Sequence, residues 1–210
     1  MLRSVCFLKE NNQIFIITSN FYYCSSEPIK IFDFNGDLIK EINYSNEKTY
    51  FIDSFYDKEL FRNYILTGNV GYVKSYDYNE NKIYHKYDDN NTRYHYKIII
   101  NNNDKYITKL IESCKDGNIR IWNFHSGELL DKINVSNKGL NSIILNNNHL
   151  LVGCEDKKIK LFNLENKMIK DLFFLNNNLI CMKLINDSKR DILLFQGLGN
   201  CPIKICIINS

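Results

Sequence analysis

Residues 113–123 read Ser113-Cys114-Lys115-Asp116-Gly117-Asn118-Ile119-Arg120-Ile121-Trp122-Asn123. Asp116-Gly117 lies between two β-rich runs, Thr108 to Cys114 and Ile119 to Phe124. An Asp-Gly pair in that setting is the strongest short-range signal for a β-hairpin. The stretch therefore predicts two antiparallel strands joined by a tight turn.

The second half of this stretch recurs along the chain. Each copy opens with a β-branched residue and then a Lys or Arg, and four of the five carry an aromatic residue in the fourth place. The copies are Ile29–Asp33, Val73–Asp77, Ile119–Asn123, Ile159–Asn163 and Ile203–Ile207. The fourth places are positions 32, 76, 122, 162 and 206, in steps of 44, 46, 40 and 44 residues. These steps match the roughly 40–45 residues of a four-stranded propeller blade.

The repeat divides the chain into five predicted units, at about 4–43, 50–87, 97–134, 140–173 and 179–209. Four units contain four strand-like segments each, and the fifth ends after its third. We therefore predict an all-β fold, a single β-propeller domain of about five blades whose last blade lacks its fourth strand. An open or partial propeller, a closed five-blade ring and strand exchange in a dimer remain alternatives.

Composition excludes several classes of protein. The 210 residues include no Ala, the best helix former, which argues against a helical bundle. The formal net charge is only +3, so no nucleic-acid partner is expected. The longest apolar run, residues 96–111, is broken by Asn101–Asp104, so no membrane span is expected either. With no signal-peptide pattern at the N-terminus, we predict a cytoplasmic protein.

The cysteines follow the repeat. Seven Cys without a CxxC pair do not suggest a disulfide framework or a zinc site. Six of them fall in register with predicted strands and are expected to be small buried residues: Cys6, Cys24, Cys114, Cys154, Cys181 and Cys206. Cys201, beside Pro202, has no assigned role. The Asn clusters at 101–103, 146–148 and 176–178 fall at predicted turns, which Asn favours.

Catalytic motifs are missing from the sequence. His85, His95, His125 and His149 lack metal-ligand spacing, and no nucleophile elbow or phosphate loop occurs. No enzyme activity, metal or cofactor is therefore expected. The acidic pairs Asp88-Asp89 and Glu155-Asp156 are interpreted as solvated turn residues. The basic residues at 30, 74, 120, 160 and 204 are expected to keep their charges in water.

Residues 113–123 and their repeats resemble the WD-repeat family of β-propellers. The third unit is similar to the family signature of a small residue, Asp-Gly, a β-branched, a basic and an apolar residue, and Trp-Asp, and the other units keep parts of it. The positions that carry the resemblance are Phe32, Asp33, Tyr76, Asp77, Asp116, Gly117, Trp122, Asp156 and Phe162.

The family usually opens each repeat with Gly-His, and no unit here has that pair; His95 is the nearest equivalent. In the family this His pairs with the turn Asp and reaches the Trp through a small hydroxyl. The resemblance therefore implies a network of His95, Asp116 and Trp122, with Cys114 at the place of the hydroxyl residue. Because that network looks incomplete, the fold is expected to depend on apolar packing.

The resemblance implies a non-catalytic scaffold that binds proteins or peptides through loops on one face. We predict the contact residues to be Glu27, Asn69, Arg93, Tyr94, Asp116, Lys138, Glu155 and Asp156. The acidic pairs in these loops favour a basic peptide as the partner. The alternative is a structural subunit or propeller fragment, completed when residues 202–208 pair with a strand of another chain.

Overall fold

The computed structural model describes residues 2–20, 28–43, 48–104, 106–187, 190–197 and 202–208. Within them the chain forms nineteen β-strands in five antiparallel sheets, four of four strands and one of three. This confirms the predicted five-blade, all-β propeller with its incomplete last blade. In the same ranges, no helix is long and apolar enough to cross a bilayer.

The two strands predicted around Asp116-Gly117 lie within one residue of their predicted bounds, as the second and third strands of blade 3. Blade 1 contains β1 (Leu2–Glu10), β2 (Gln13–Asn20), β3 (Ile29–Phe32) and β4 (Leu38–Ile42). Blade 2 contains β5 (Phe51–Asp57), β6 (Arg62–Gly68), β7 (Tyr72–Asp77) and β8 (Lys82–Asp88). Blade 3 contains β9 (His95–Asn101), β10 (Lys109–Cys114), β11 (Asn118–Asn123) and β12 (Leu129–Asn134). Blade 4 contains β13 (Leu140–Asn146), β14 (His149–Cys154), β15 (Lys158–Asn163) and β16 (Ile169–Phe174). Blade 5 contains β17 (Leu179–Asp187), β18 (Arg190–Gly197) and β19 (Lys204–Ile208).

Strands within each blade pair in chain order, so the first strand is at one edge of its sheet and the last at the other. The first strands of consecutive blades lie side by side: β1 with β5, β5 with β9, β9 with β13, and β13 with β17. They therefore form the inner wall of the propeller. In the described residues, β17 and β1 do not pack together in this way.

Blades 2, 3 and 4 bury apolar side chains on both faces of their sheets, whereas blade 1 packs on blade 2 and leaves Val5, Phe7 and Ile14 exposed on its other face. In β11, Ile119 and Ile121 pack towards blade 4, whereas Trp122 packs towards blade 2. Ile119 and Trp122 are 0% and 3% exposed. Side chains alternate between the two faces of a strand, so the repeated apolar-basic-apolar-aromatic pattern supplies both interfaces. Burying one such side chain contributes about 1.5–3 kcal/mol.

The polar residue after the aromatic position closes the turn to the fourth strand. Its side chain accepts backbone N–H groups two to four residues later, as in His125 N to Asn123 Oδ1 at 3.0 Å. The four residues that do this are Asp33, Asp77, Asn123 and Asn163. Short side chains of Asp and Asn bind their own turn readily, which explains why the repeat keeps one of them at this position.

The cysteine predictions are confirmed in part. Cys6, Cys114 and Cys154 are buried, and burial raises the pKa of each thiol to about 12. Cys206 is half-buried. The prediction for Cys181 was wrong: it is exposed, because a register shift between Leu179 and Cys181 turns it away from blade 4. Cys24 and Cys201 lie outside the described residues.

Phe162 tests the dependence of the fold on packing between blades. It is fully buried between blades 3 and 4, whereas Phe174 is 73% exposed. We expect Phe162→Ala to lower the free energy of unfolding by about 3–5 kcal/mol, because it leaves a cavity. Phe174→Ala is the matched control and should change it by less than about 0.5 kcal/mol. Urea denaturation measures both, and equal losses would contradict this packing.

Candidate protein-binding face

The turns between second and third strands and the links between blades lie on one side of the propeller, which we call the loop face. Over blades 2 to 4 they are joined by backbone hydrogen bonds. Gly71 N–H donates to Arg93 O (2.7 Å) and Lys115 N–H to Tyr94 O (2.9 Å). Glu155 N–H donates to Gly139 O (2.8 Å). The loop face is therefore one connected layer of backbone in which loop positions are fixed relative to each other.

Gly117 permits the closest of these approaches. It has a φ of +84°, and a Cβ at this position would lie 1.9 Å from Ser136 O. Val135 N–H and Ser136 N–H both donate to Gly117 O, at 3.0 and 3.2 Å. No side chain fits between these backbones, so the repeat position Gly117 holds the turn of blade 3 against the next link.

Under this layer, a buried carboxylate joins two of the residues that the family resemblance singled out. Trp122 Nε1 donates to Glu112 Oε1 at 3.1 Å, and His95 Nδ1 lies 2.5 Å from Glu112 Oε2. All three side chains are buried. Glu112, not Cys114, therefore occupies the place between His and Trp, and the expected pairing of His95 with Asp116 was wrong. The other ring nitrogen of His95 lies 3.2 Å from Asn91 Nδ2 in the link above.

Asp116 binds Arg120 instead. Its carboxylate accepts two hydrogen bonds from the guanidinium group, at 2.5 and 3.3 Å, and Asp89 accepts a third from Arg120 Nε at 2.8 Å. Lys132 Nζ also donates to Asp89, at 2.7 Å. Arg120 is 0% exposed, so the expectation that its charge reaches water was wrong. Asp89 is likewise an ion-paired residue and not a solvated one.

These ion pairs shift the pKa values of all three residues. Burial acts to raise the pKa of Asp116 and of Asp89. Hydrogen bonds from Arg120 to Asp116, and from Lys132, Asn91 and Arg120 to Asp89, outweigh it and hold both below their usual range. Burial acts to lower the pKa of Arg120, but its two carboxylate partners raise it. The group is therefore charged throughout, and it ties the turn of blade 3 to the link 88–94.

Blade 4 uses a lysine at the equivalent position. Lys160 Nζ donates to Val135 O at 2.9 Å and lies 3.7 Å from Asp156. Asp156 also accepts a hydrogen bond from Ser136 Oγ at 3.0 Å. Lys74 in blade 2 is 7% exposed. In blades 3 and 4 the basic residue of the repeat, Arg120 or Lys160, therefore binds atoms of the loops. This differs from the expectation that the charges of these two residues lie in water.

The structure separates the predicted contact residues into two groups. Asn69 is 1% exposed and hydrogen bonds to Thr67 Oγ1 and Thr49 Oγ1, at 3.0 and 3.1 Å. Like Asp116 and Asp156, it holds the loops in place. The residues that reach solvent are Arg93, Tyr94, Lys138 and Glu155. Glu27 lies outside the described residues.

Tyr94 belongs to an aromatic cluster that sequence reasoning missed. The ring centroid of Tyr50 lies 4.6 Å from that of Tyr94 and 6.3 Å from that of Tyr96. Lys115 Nζ lies 5.5 Å from the Tyr94 centroid. Tyr50 and Tyr96 precede or begin the inner strands of neighbouring blades, β5 and β9. The sequence shows only that Tyr50 and Tyr96 occupy equivalent places in the repeat. Equivalent places do not predict that the two rings are in contact.

The cluster borders a cavity of about 510 Å³ among the inner strands. Tyr50, Tyr96 and Lys97 line one side of it, and Asn141, Ser142 and Met182 line another. Burial lowers the pKa of Lys97, Asp53 opposes that shift, and Lys183 adds to it. Lys97 Nζ also lies 4.3 Å from the Phe51 ring centroid. The cavity thus has a mixed polar and apolar lining that includes aromatic and basic side chains.

Glu112 allows a test of the buried network. Glu112→Ala leaves the indole N–H of Trp122 and one nitrogen of His95 without partners, so it should lower the free energy of unfolding by about 3–5 kcal/mol. Glu112→Gln keeps an acceptor for Trp122. We therefore expect it to lower the free energy of unfolding by about 1 kcal/mol less than Glu112→Ala does. Urea denaturation compares the two variants. Equal costs would show that the hydrogen bonds of Glu112 do not matter.

The lowered pKa values of Asp89 and Asp116 predict acid sensitivity. Such carboxylates stabilise the fold above their unfolded-state pKa of about 3.9, and this stability is lost as the pH falls towards the lower folded-state pKa. The free energy of unfolding should therefore drop as the pH falls below about 4. Asp116→Asn should be less stable near neutral pH and should lose less on acidification. Parallel pH profiles of the two proteins in urea denaturation would rule out this contribution.

Comparison with known proteins agrees with the architecture. No family model and no curated protein matches the sequence. Among the solved structures, the crystal structure of the WD40 β-propeller domain of Doa1 superposes with a TM-score of 0.70 at 13% identity. The match covers 100% of this chain and 69% of that one. The five blades therefore have the fold of a divergent WD40-type β-propeller, and they correspond to about two thirds of that larger domain.

Proposed function

We propose that this chain is a non-catalytic scaffold that binds a protein or peptide through its loop face. The observation that carries the proposal is the hydrogen-bonded layer of turns and links across blades 2 to 4. Binding to preformed loops costs less conformational entropy than binding to loops that must first become ordered. The WD40-type fold supports a role in protein interaction by analogy.

Charge on the loop face favours an acidic partner over the basic one expected from the sequence. Asp89, Asp116 and Asp156 bind Arg120, Lys132 or Lys160, so their charges are already neutralised. In the described residues, Arg93, Lys115 and Lys138 form no ion pair, and all three are exposed. Glu155 is the remaining carboxylate without an ion pair on this part of the face. The side chains without ion pairs on this part of the face therefore carry a net positive charge, which would attract acidic segments.

Tyr94 supplies an anchor within this basic surface. It is half-buried, its ring is tilted against that of Tyr50, and its carbonyl accepts a hydrogen bond from Lys115 N–H. Tyr and Arg are enriched among interface residues that contribute most to affinity. We propose an extended acidic peptide whose carboxylates meet Arg93, Lys115 and Lys138 while an apolar side chain contacts the Tyr50–Tyr94–Tyr96 cluster. The cytoplasm remains our prediction for where the scaffold acts.

Charge reversal tests the loop face with a matched control. The variant R93E/K115E/K138E alters exposed residues without breaking the ion pairs of Asp116 or Asp156. The control K9E/K58E/K170E makes the same charge change at exposed lysines outside the loop face. In affinity capture read by mass spectrometry, we expect a discrete set of partners to be lost only with the loop-face variant. Loss with both variants, or with neither, would contradict the proposal.

Tyr94→Ala gives a second test once a partner is captured. Removing an aromatic anchor should weaken binding by about 2 kcal/mol, roughly 30-fold, without changing its salt dependence. The charge reversals should instead reduce the salt dependence. Calorimetry at two salt concentrations measures both effects. An unchanged affinity for Tyr94→Ala would remove the aromatic cluster from the proposed contact.

A second function, a structural subunit completed by a strand of another chain, is favoured by blade 5. Its third strand, β19, has no neighbour on its outer side in the described residues. Ile203, Ile205 and Ile207 are 61%, 68% and 54% exposed. A strand whose outer edge is unpaired and whose apolar side chains are exposed is a template for strand addition.

A further inference from the structure

The four complete blades show what covers a third strand, and the same pattern repeats in each. Opposite the aromatic position of the third strand, the fourth strand always carries an apolar residue. The pairs are Phe32 with Leu38, Tyr76 with Ile83, Trp122 with Leu129, and Phe162 with Ile169. In blade 5 the equivalent place is Cys206, which pairs with Leu193 of β18 and has no residue opposite it on the outer side of β19 in the described part of the chain.

In blades 1 and 4, the basic position of the third strand lies opposite a carboxylate of the fourth strand. In blade 1, Lys30 lies opposite Glu41, with Nζ 3.6 Å from Oε1. In blade 4, Lys160 lies opposite Asp171, with Nζ 3.8 Å from Oδ1. Both acids come from the fourth strand, two or three residues after the apolar residue that covers the aromatic position.

Blades 2 and 3 instead have a lysine opposite the basic residue, Lys86 in blade 2 and Lys132 in blade 3. Arg120 and Lys132 both bind Asp89 from the preceding link. Lys86, opposite Lys74, binds Asp88 at 2.7 Å. In β19 the basic residue is Lys204, which is exposed and forms no ion pair in the described residues.

We propose that β19 binds an antiparallel strand of another polypeptide, with an apolar residue opposite Cys206 and an acidic residue opposite Lys204. The proposal rests on the second function above and is independent of the loop face. The acid follows the apolar residue by two or three positions, as Asp171 follows Ile169 and Glu41 follows Leu38. Backbone hydrogen bonds supply affinity in such additions, and the side-chain pattern supplies specificity.

The same strand of a second copy, β19 against β19, is a poorer occupant for this edge. Pairing β19 with itself would bring together residues Lys204-Ile205-Cys206-Ile207-Ile208, which include no acid. Lys204 would then have no carboxylate opposite it, unlike Lys30 and Lys160. A partner strand with the apolar-to-acidic spacing would cover the exposed apolar edge and place a carboxylate opposite Lys204.

The chain's own blade 1 provides a probe. A labelled peptide of residues 36–43, Gly-Asp-Leu-Ile-Lys-Glu-Ile-Asn, contains the outer-strand pattern of Leu38 and Glu41. Two control peptides carry Glu41→Lys or Lys40→Pro, because Pro cannot complete the ladder. We expect the full chain to bind the natural peptide about fivefold more tightly than the Glu41→Lys peptide, and the Lys40→Pro peptide not at all.

Lys204→Glu in the protein should reverse the preference, so that the Glu41→Lys peptide binds more tightly. Amide hydrogen exchange should show protection of residues 205–208 on binding. The loop-face variant R93E/K115E/K138E should bind the peptides unchanged, which separates failure of this proposal from failure of the loop-face proposal. The proposal is overturned if the peptides do not bind, if Lys204→Glu leaves the preference unchanged, or if the Pro peptide binds equally. Light scattering that shows a dimer with 205–208 already protected would identify a second copy as the occupant and also overturn it.

Discussion

A guanidinium group with no exposure to water must be neutralised where it lies. Arg120 meets this requirement with carboxylates from two loops, Asp116 in a turn of blade 3 and Asp89 in the preceding link. Satisfying one buried charge therefore fixes two segments of the loop face. Arg93, Tyr94 and Lys115 belong to these segments, so the side chains that reach solvent are positioned by an ion-pair network beneath them. The ion pairs of Arg120 thus connect the fold to the surface that we propose for binding.

Burial also explains why blades 1 and 5 differ from the three blades between them, since each has a neighbouring blade on one face only. Both faces of the sheets of blades 2, 3 and 4 pack against neighbouring blades. In each of these blades the third strand also pairs with a fourth. Blade 5 packs on blade 4 through Leu193 and Phe195, but the side chains of Ile205 and Ile207 on its other face are exposed. Exposed sheet edges are sites of association unless charged or covered. These observations underlie the two surfaces for which we propose partners, the preformed basic loop face and the outer edge of β19.

Much of the fold could be predicted because it is periodic. The spacing of positions 32, 76, 122, 162 and 206 predicted the number of blades, and alternation along each strand predicted many of the buried side chains. The role of Glu112 was missed because it depends on which side chain reaches both Trp122 and His95 across three strands. One signal existed: Glu112 is a lone acid inside the apolar run of β10, and a buried acid requires partners. The burial of Arg120 and Asn69 depends on neighbouring loops, which local pattern does not specify.

Amide hydrogen exchange in Arg120→Lys tests most directly whether the buried network holds the loop face. Lysine keeps the charge, but its ammonium group cannot donate to Asp116 and Asp89 together as the planar guanidinium group of arginine does. We predict that exchange of residues 89–95 and 115–118 accelerates about tenfold or more, since one charge-assisted hydrogen bond contributes about 1.5–3 kcal/mol. Residues 149–163 of blade 4 should exchange as in the natural chain. Unchanged exchange in both loop segments would show that the loops hold their positions without Arg120, and would contradict the account.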